Sequence, residues 1–382
     1  MADSTLDLYS TTAPGLESLT AQELSGLGVA APVPSRGGVE WRGSVRDLYQ
    51  ANLWLRTASR VLVRVSRFHA GSFAELERRA KTVPWGRFVR ARDHVRFRVS
   101  CHRSALYHSD AVAERLAESV MAATGCKAPT ADLAGSTAAD EESRSGEQLF
   151  VVRVDRDRLT ISADSSGLLL HKRGYRQALA KAPVRETLAA AMLLASWADS
   201  GTVLLDPMCG SGTIAIEAAM IARKIAPGIQ RTFRFERWPG FDGGAWGELR
   251  AAAASGVLEG AQPVIEAADR DAGAIAAATS NAERAGVAKD IRLVQRSLSE
   301  SDPAAGTGWI ISNPPYGVRI GTDVRNLYAS VGNLMRGPFA HWKLGLLIAS
   351  PQLAGQIGLP LERLFGTSNG GIDIEFMVHA RG

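Results

Sequence analysis

The sequence predicts an α/β protein whose C-terminal half is a doubly wound, mostly parallel sheet preceded by a smaller α+β region. Three observations carry this. From about Gly174 onward, short apolar strands alternate with long alanine-rich helices, the rhythm of a parallel sheet covered by helices on both faces. The first of these strands runs into the turn Cys209-Gly210-Ser211-Gly212-Thr213, which opens a helix. Before Gly174 the rhythm differs, with short elements separated by Pro, Ser and Gly. The chain divides on these patterns at residues 1–67, 68–171 and 172–382.

In chain order, Leu6 to Tyr9 reads as a strand and Gly15 to Leu27 as a helix with Leu16, Leu19, Leu24 and Leu27 as its apolar residues. Gly38 to Trp41 is a strand, Val45 to Leu55 a helix, and Val61 to Val65 a strand. Val95 to Ser100 alternates valine and phenylalanine with arginine, as a strand does. Ser109 to Thr124 is a helix, with Ser109 as its expected N-cap and Gly125 as its stop. Pro129 to Glu147 is rich in Ala, Ser, Gly and acids and is expected to be a mobile surface loop. Leu149 to Val154 and Arg158 to Ser162 form a hairpin around Asp155-Arg156-Asp157.

The C-terminal strands are Val203 to Leu205, Val264 to Ala267, Ile291 to Val294, Trp309 to Ser312 and Leu344 to Ala349. The helices between them include Val184 to Trp197, Thr213 to Ile225 and Asp271 to Ala285. Ile372, Ile374, Phe376 and Val378 alternate with polar residues, which predicts a half-buried strand at a sheet edge.

Composition sets outer bounds. The chain has 382 residues, 46% hydrophobic and 22% charged, with no apolar run long enough to span a bilayer. Met1 to Ser10 shows no basic segment followed by an apolar run, so no signal peptide is expected. Three scattered cysteines, Cys101, Cys126 and Cys209, exclude a disulfide framework and a zinc cluster; no metal is expected. A cytoplasmic monomer without membrane attachment is the simplest expectation. The net charge is only +5, but between Arg42 and Arg103 fifteen Lys or Arg stand against four Asp or Glu. Phe68, Phe73, Trp85, Phe88 and Phe97 interleave with them. Such a surface attracts phosphates. Arg78, Arg79, Arg87 and Arg90 lie in its most basic stretch; a solvated basic face is the ordinary reading of such a run, and the catalytic motif downstream makes these four the candidate RNA-binding residues.

Three motifs carry the chemistry. In Val203-Leu204-Leu205-Asp206-Pro207-Met208-Cys209-Gly210-Ser211-Gly212-Thr213, Gly210 permits the tight turn and Gly212 is expected to let a ligand approach the backbone, with Ala215 small enough for helix–sheet packing. A nicotinamide-binding loop is the rival reading, for which Asp206-Pro207 is unusual. In a methyltransferase, a carboxylate there faces the amino group and sulfonium at the methionine end of the cofactor. Cys209, Gly210, Gly212 and Thr213 are candidate cofactor contacts beside Asp206.

The second motif ends the next strand at Asp269-Arg270-Asp271, where an acid can accept from both ribose hydroxyls. Asp269 and Arg270 are candidate cofactor residues, and Asp271 an N-cap. Asp269 stands 57 residues after Gly212, far beyond a simple dinucleotide spacing, and an insertion from Ala226 through Asp242 accounts for the excess.

The third motif decides the class. Trp309-Ile310-Ile311-Ser312-Asn313-Pro314-Pro315-Tyr316 places Asn-Pro-Pro-Tyr at the carboxyl end of a buried strand. Transfer of a methyl group to an exocyclic amine needs a desolvated lone pair held in line, more than acid–base help. The Asn313 side-chain oxygen and the Pro314 carbonyl can accept both N–H bonds of such an amine, and Tyr316 can stack on the base. Asn313, Pro314 and Tyr316 are the candidate catalytic residues, with Asn313 also near the cofactor.

With these motifs in this order, the chain resembles the RNA guanine-N2 methyltransferases that carry a THUMP RNA-binding domain. Thr12-Ala13-Pro14-Gly15-Leu16-Glu17, Gly38-Val39 and Leu53 to Arg60 look like that family's ferredoxin-like unit, and Leu106 to Val112 like the start of a THUMP helix. Gly167 to Arg176 and Ala182 to Ala190 look like its lead-in to the catalytic domain. The resemblance implies a ferredoxin-like domain over 1–67, a THUMP domain over 68–171 and a Rossmann-like methyltransferase domain over 172–382. It implies S-adenosyl-L-methionine as cofactor and structured RNA as partner. Within the family the chain is most similar to the branch that methylates guanine N2 in 23S ribosomal RNA; the tRNA branch is the alternative, and a DNA adenine-N6 methyltransferase would share Asn313 to Tyr316. Where the family has an acid for the adenine amino group, this chain reads Gln295-Arg296-Ser297, so Ser297 is the expected contact. Bifunctional members carry a second methyltransferase after this one, and that activity is not expected in a chain ending at Gly382.

Overall fold

The structure is a computed structural model and describes residues 5–127, 146–177, 184–198, 201–262, 264–303, 306–315 and 322–380. The loop expected from Pro129 to Glu147 therefore lies outside the described residues except for Gly146 and Glu147, and so does Tyr316.

The described residues sort into two compact units, each built from three stretches of chain. The first draws on Met1–Thr11, Ala21–Leu170 and Arg231–Arg250; the second on Thr12–Thr20, His171–Gln230 and Ala251–Gly382.

The first unit opens with β1 (Leu6–Thr12), α1 (Glu17–Gly26), β2 (Val33–Ser35), β3 (Gly38–Gly43), α2 (Val45–Trp54) and β4 (Ala58–His69). A capping box starts α2: the Ser44 hydroxyl accepts from the Asp47 N–H, while the Asp47 carboxylate accepts from the Ser44 N–H. The unit continues with α3 (Phe73–Ala80), β5 (Val95–His102), α4 (Ser109–Thr124), β6 (Gln148–Asp155) and β7 (Arg158–Asp164). All seven strands join one sheet in the order β2-β3-β1-β4-β7-β6-β5. Its β2-β3-β1-β4 half is the split-βαβ arrangement of a ferredoxin-like fold. Strand β4 pairs with β7 from Leu62↔Asp164 to His69↔Arg158 and so carries the sheet across residues 67 and 68. The hairpin at Asp155 to Arg158 is as expected, with Arg156 and Asp157 both at positive φ, as a tight two-residue turn requires.

Helix α4 has its expected span, but Ser109 is not its cap. His108 takes that position and makes no side-chain capping bond, while Gly125, at φ 66°, ends the helix in the left-handed region. The aromatics among the arginines also have a different use. Trp85, Phe88 and Phe97 are buried, and Trp85 packs edge-on against Phe150 at 5.0 Å.

The stretch Arg231–Arg250 reads in sequence as an insertion between catalytic elements, yet it completes the first unit's core. Tyr49 of α2 stacks on Phe235 at 4.4 Å and meets Trp246 edge-on at 6.0 Å. The buried Arg234 guanidinium donates to Asp93 at 3.0 Å and Gln148 at 3.1 Å, and the Trp238 indole N–H donates to Gln148 at 2.7 Å.

The second unit contains α5 (Glu186–Ser196), β8 (Val203–Asp206), α6 (Thr213–Ala222), β9 (Ile265–Asp269), α8 (Ala272–Ala285), β10 (Ile291–Gln295), β11 (Gly308–Ser312), α9 (Thr322–Arg336), β12 (Lys343–Ile348), α10 (Pro351–Ile357), β13 (Glu362–Asn369) and β14 (Ile372–His379); α7 (Gly243–Ser255) spans the change between units. The sheet order is β10-β9-β8-β11-β12-β14-β13. Strands β8 to β12 are mutually parallel, and β14 is antiparallel to both its neighbours. The expected edge strand is therefore interior: β13 folds back through Gly370-Gly371 and covers it, so the edge belongs to β13. The core joins Leu188 and Met192 of α5 and Trp197 just after it, Ile214, Ile216 and Ala218 of α6, and Phe365 and Phe376 of the final hairpin. Leu16, from the N-terminal stretch, is buried in the same cluster. Beside it, Gly15 sits at φ +88° so close to Gly366 that an added Cβ would meet the Gly366 carbonyl oxygen at 2.1 Å. Only glycine fits there.

Candidate active site

In an open α/β sheet the ligand crevice forms where the strand order reverses, beyond the carboxyl ends of the strands. Here β8, β9 and β10 run out to one side, β11 and β12 to the other, and β8 and β11 are neighbours. A cavity of about 640 Å³ lies at that reversal. Its wall holds Asp206, Cys209, Gly210 and Thr213 after β8, Asp269 and Arg270 after β9, Ser297 after β10, and Asn313 and Pro314 after β11. Residues distant in sequence but expected to act together thus share one chamber.

The floor is acidic. Asp206 ends β8 and is 1% exposed. Its Oδ1 accepts from the Ser312 hydroxyl at 2.6 Å and the Met208 N–H at 3.3 Å. Burial, with a smaller contribution from the Asp269 charge, outweighs these bonds and pushes the carboxyl up to about 7. A cation brought into the chamber would favour its ionised form. Burial and the same two carboxylates hold the Cys209 thiol well above its ordinary range, so it lines the wall as a thiol, not a nucleophile.

Asp269 uses each oxygen once on the backbone. Oδ2 accepts from Gly210 N–H and Oδ1 from Asp271 N–H, both at 3.0 Å. The acid thus fixes the glycine turn against β9 and keeps lone pairs for further donors. Asp271 caps α8 by accepting from Gly273 N–H at 3.0 Å, as expected. Ser297 caps a short 3-10 turn, and its hydroxyl donates to the Glu300 carboxylate at 2.8 Å. The same oxygen lies 3.1 Å from the Ser299 hydroxyl, which leaves it one lone pair as an acceptor.

Asn313 follows the last residue of β11. Its Oδ1 is buried and has no hydrogen-bond partner. A buried amide oxygen left without a donor costs free energy on the order of 1–3 kcal/mol, so an orphan of this kind points to a ligand N–H.

Gly212 does not line the cavity. It stands at φ +82°, and an added Cβ would come within 2.9 Å of the Ala278 Cβ on α8. The expected ligand approach is corrected accordingly: this glycine serves the turn and the close packing of α6 on α8. Two positioning residues were not singled out from the sequence. Ser312 ties the strand that presents Asn313 to Asp206. The fully buried Asn281 donates to the Ser211 carbonyl at 3.1 Å and accepts from Gln177 N–H at 3.3 Å, holding the glycine turn from behind. A polar residue on the otherwise apolar buried face of α8 was the available signal for Asn281.

Arg78, Arg79, Arg87 and Arg90 belong to the first unit and are exposed. Arg78 and Arg79 close α3, and Arg90 also donates to the Trp238 carbonyl at 3.1 Å. Other arginines of the basic run are spent on structure: Arg60 bonds Asp164 in the interior, Arg96 pairs with Glu147, and Arg64 pairs with Glu40. Among the described residues no group of His, Cys, Asp and Glu could hold a metal ion, and no helix is long and apolar enough to cross a membrane.

Comparison with known proteins agrees with this geometry. Residues 173–373 match the model of the RMKL-like methyltransferase domain, and residues 7–62 that of the RlmL ferredoxin-like domain. "Ribosomal RNA large subunit methyltransferase K/L" of Syntrophotalea carbinolica is 35% identical over 98% of the chain and 53% of its own length. The chain spans about half the length of the first such relatives. "Putative RNA methyltransferase slr0064" of Synechocystis sp. is 32% identical over 97% of the chain and 95% of its own length. Among solved structures, SMU.472 complexed with S-adenosylhomocysteine superposes with a TM-score of 0.83 at 28% identity, covering 98% of both chains. A ferredoxin-like N-terminus, a reversed parallel sheet with its chamber at the reversal, and a family model matching more than half its length place the chain in the RMKL-like methyltransferase family.

Proposed function

We propose that this chain transfers a methyl group from S-adenosyl-L-methionine to the exocyclic N2 amine of a guanine in 23S ribosomal RNA. The observation that carries the reading is the buried, unpartnered Oδ1 of Asn313, opening the same chamber as Asp206 and Asp269. It calls for a ligand N–H at the one place where an exocyclic amine would have to be held.

The cofactor supplies an electrophilic methyl group on its sulfonium. Asp206 would balance the cationic methionine end, Asp269 would accept from the ribose hydroxyls, and the Ser297 oxygen would accept from the adenine amine. Asn313 and the Pro314 carbonyl would accept the two N–H bonds of the target amine and so turn its lone pair out of conjugation. Proline at both 314 and 315 limits the loop's freedom, which keeps these acceptors in place before substrate arrives. Ser312 couples the two halves of the chamber, since its hydrogen bond to Asp206 fixes the strand carrying Asn313 relative to the acid beneath the cofactor. Arg78, Arg79, Arg87 and Arg90 would engage RNA phosphates, with residues 68–171 acting as the THUMP domain.

The test is transfer of tritiated methyl from the cofactor to deproteinised 23S ribosomal RNA, tRNA and duplex DNA, followed by nucleoside mass spectrometry. N2-methylguanosine in the 23S RNA supports the reading. The same product confined to tRNA would move the substrate to the tRNA branch, and N6-methyladenine in DNA would overturn it.

A further inference from the structure

The seven-stranded sheet of the first unit has two unlike faces. Phe97, Phe150, Val152, Leu159 and Ile161 point to the buried one. Trp85 packs edge-on against Phe97 and Phe150 there, and its indole N–H donates to the Ala80 carbonyl at 2.9 Å, which places α3 on that side. Along β5, β6, β7 and β4 the alternate residues point the other way, and the reading above gives them no role.

The strand register sets these residues in rows. His102, Asp155, Arg158 and His69 lie opposite one another at one level, and Ser100, Arg153, Thr160 and Arg67 at the next. The third level runs from Arg98 through Val151 and Ser162 to Arg64. At ~4.8 Å per strand and ~3.4 Å per residue, arginines from four strands share a patch roughly 15 Å across and 14 Å long. Arg153 and Arg158 lie far beyond the basic run of the sequence, so only the fold brings them beside Arg67.

A solvated sheet face ordinarily mixes both signs, because like charges on neighbouring strands repel. This one is short of acids. Asp155 is the one carboxylate in the three rows, and it already has His102 at 3.3 Å and Arg153 at 3.4 Å. Glu40, two strands beyond β4, pairs with Arg64 at 2.9 Å and reaches Arg67 only at 3.9 Å. The Arg158 guanidinium has no hydrogen bond or ion pair with any described residue. It stands diagonal to Arg67 on one neighbouring strand and to Arg153 on the other, each roughly 7–8 Å away by strand geometry. The rim at this end adds Arg103 and Arg156, both exposed, at φ 47° and 51°. Their loops brace each other: the Arg156 N–H donates to the His102 carbonyl at 3.1 Å, and the Asp157 N–H to the Ser104 hydroxyl at 3.0 Å.

This chemistry selects a chain of repeated phosphates. A guanidinium holds a phosphate through two parallel N–H bonds, and the Thr160 hydroxyl and the His69 and His102 imidazoles supply further donors. Val151 is the one apolar residue in the three rows, so the face offers neither the anchors of a protein interface nor a wedge for a bilayer.

We propose that this open face is a second RNA-binding surface, on which successive backbone phosphates cross from Arg153 over Arg158 to Arg67. The proposal rests on the RNA methyltransferase reading and deepens it: the RNA is gripped on the sheet as well as on the helical side that carries Arg78 and Arg79.

The experiment measures binding of the full chain, with saturating S-adenosylhomocysteine, to deproteinised 23S ribosomal RNA in filter assays across a range of salt. Arg67→Gln, Arg153→Gln and Arg158→Gln combined should weaken binding about tenfold or more at low salt and reduce the slope of log affinity against log salt by about 2–3. All three side chains are exposed, so thermal unfolding and S-adenosylhomocysteine affinity should match the wild type. Lysine at the same three positions should keep the slope, since the charges remain. The wild-type slope in the glutamine variant, or a lost slope in the lysine variant, would overturn the surface. So would equally tight binding of phosphatidylglycerol vesicles or polyglutamate that depends on the same arginines. Arginine-dependent RNA binding by a protein that methylates no RNA would uphold the surface and overturn only the parent reading.

Discussion

The pH dependence of cofactor binding tests the electrostatics of the chamber most directly. Burial raises the Asp206 carboxyl from an ordinary 3.8 to about 7. At 1.36 kcal/mol per unit, keeping Asp206 ionised costs the ligand-free protein about 4 kcal/mol. The sign follows from linkage. A raised acid contributes stability that is fully present below about 3.8 and is lost as pH climbs toward about 7. A ligand that brings positive charge reverses the preference, because it binds the ionised form. Affinity for S-adenosyl-L-methionine should therefore rise about tenfold per pH unit below about 7, then level off, with one proton released on binding at pH 6 and none at pH 8. Asp206→Asn should abolish both the slope and the proton release, lower affinity at pH 8 by ~10–100-fold, and make the ligand-free protein more resistant to heat at pH 8. Calorimetry in two buffers of different ionisation enthalpy measures affinity and proton release together. If the wild-type affinity is flat between pH 6 and 8 without proton release, Asp206 does not balance the cofactor's charge.

Four further outcomes are expected. Asn313→Ala should slow single-turnover transfer by ~100-fold or more while cofactor affinity by calorimetry stays within about twofold, because the orphaned oxygen serves the amine and not the cofactor. Asp269→Ala should weaken cofactor binding by ~1.5–3 kcal/mol, the scale of hydrogen bonds to a charged group; an unchanged affinity would reduce Asp269 to a brace for the glycine turn. Gly212→Ala should lower unfolding stability by ~2–4 kcal/mol in denaturant titration, from left-handed backbone strain plus the contact with Ala278, and affect cofactor affinity far less than stability. Changing Arg78, Arg79, Arg87 and Arg90 together to Glu should weaken RNA binding in filter assays and reduce the slope of log affinity against log salt by about 3; the same slope in the variant would make these arginines a solvated face.

The parts of the chamber legible in sequence are those whose chemistry is local. A buried strand running into Gly210, an acid ending the next strand at Asp269, and Asn313 at the end of another each announce themselves within a few residues. The alternation of Ile372 to Val378 also marked a strand correctly, but alternation reports which face is buried and not which neighbours pair. The edge was therefore assigned to β14 when the exposed β13, with its Glu362, Arg363 and Leu364, holds it. Gly212 misled for a similar reason: the need for a missing Cβ is visible in the motif, whereas the partner that imposes it, Ala278, is set by helix packing across many residues. The basic run shows the opposite failure. Arg60 and Arg96 add to the count in sequence, but their charges are consumed inside the first unit.

The exchange of segments between the two units has a consequence for synthesis on the ribosome. Tyr49 and all seven strands of the first unit's sheet are made by Leu170, but the aromatic partners that close over Tyr49 (Phe235, Phe241 and Trp246) come later in the chain. At ~5–20 residues per second, the nascent chain waits roughly 3–15 s with that face uncovered. During the same interval, Gly15 and Leu16 have long been made, while Gly366, against which Gly15 packs, and Phe365, which shares a core cluster with Leu16, have not. Neither unit can finish folding as a vectorial product of its own stretch of chain. The first can close only after Arg250 has been made and the second only after Gly366, which makes the growing chain, more than the finished protein, the state most exposed to chaperones and proteases.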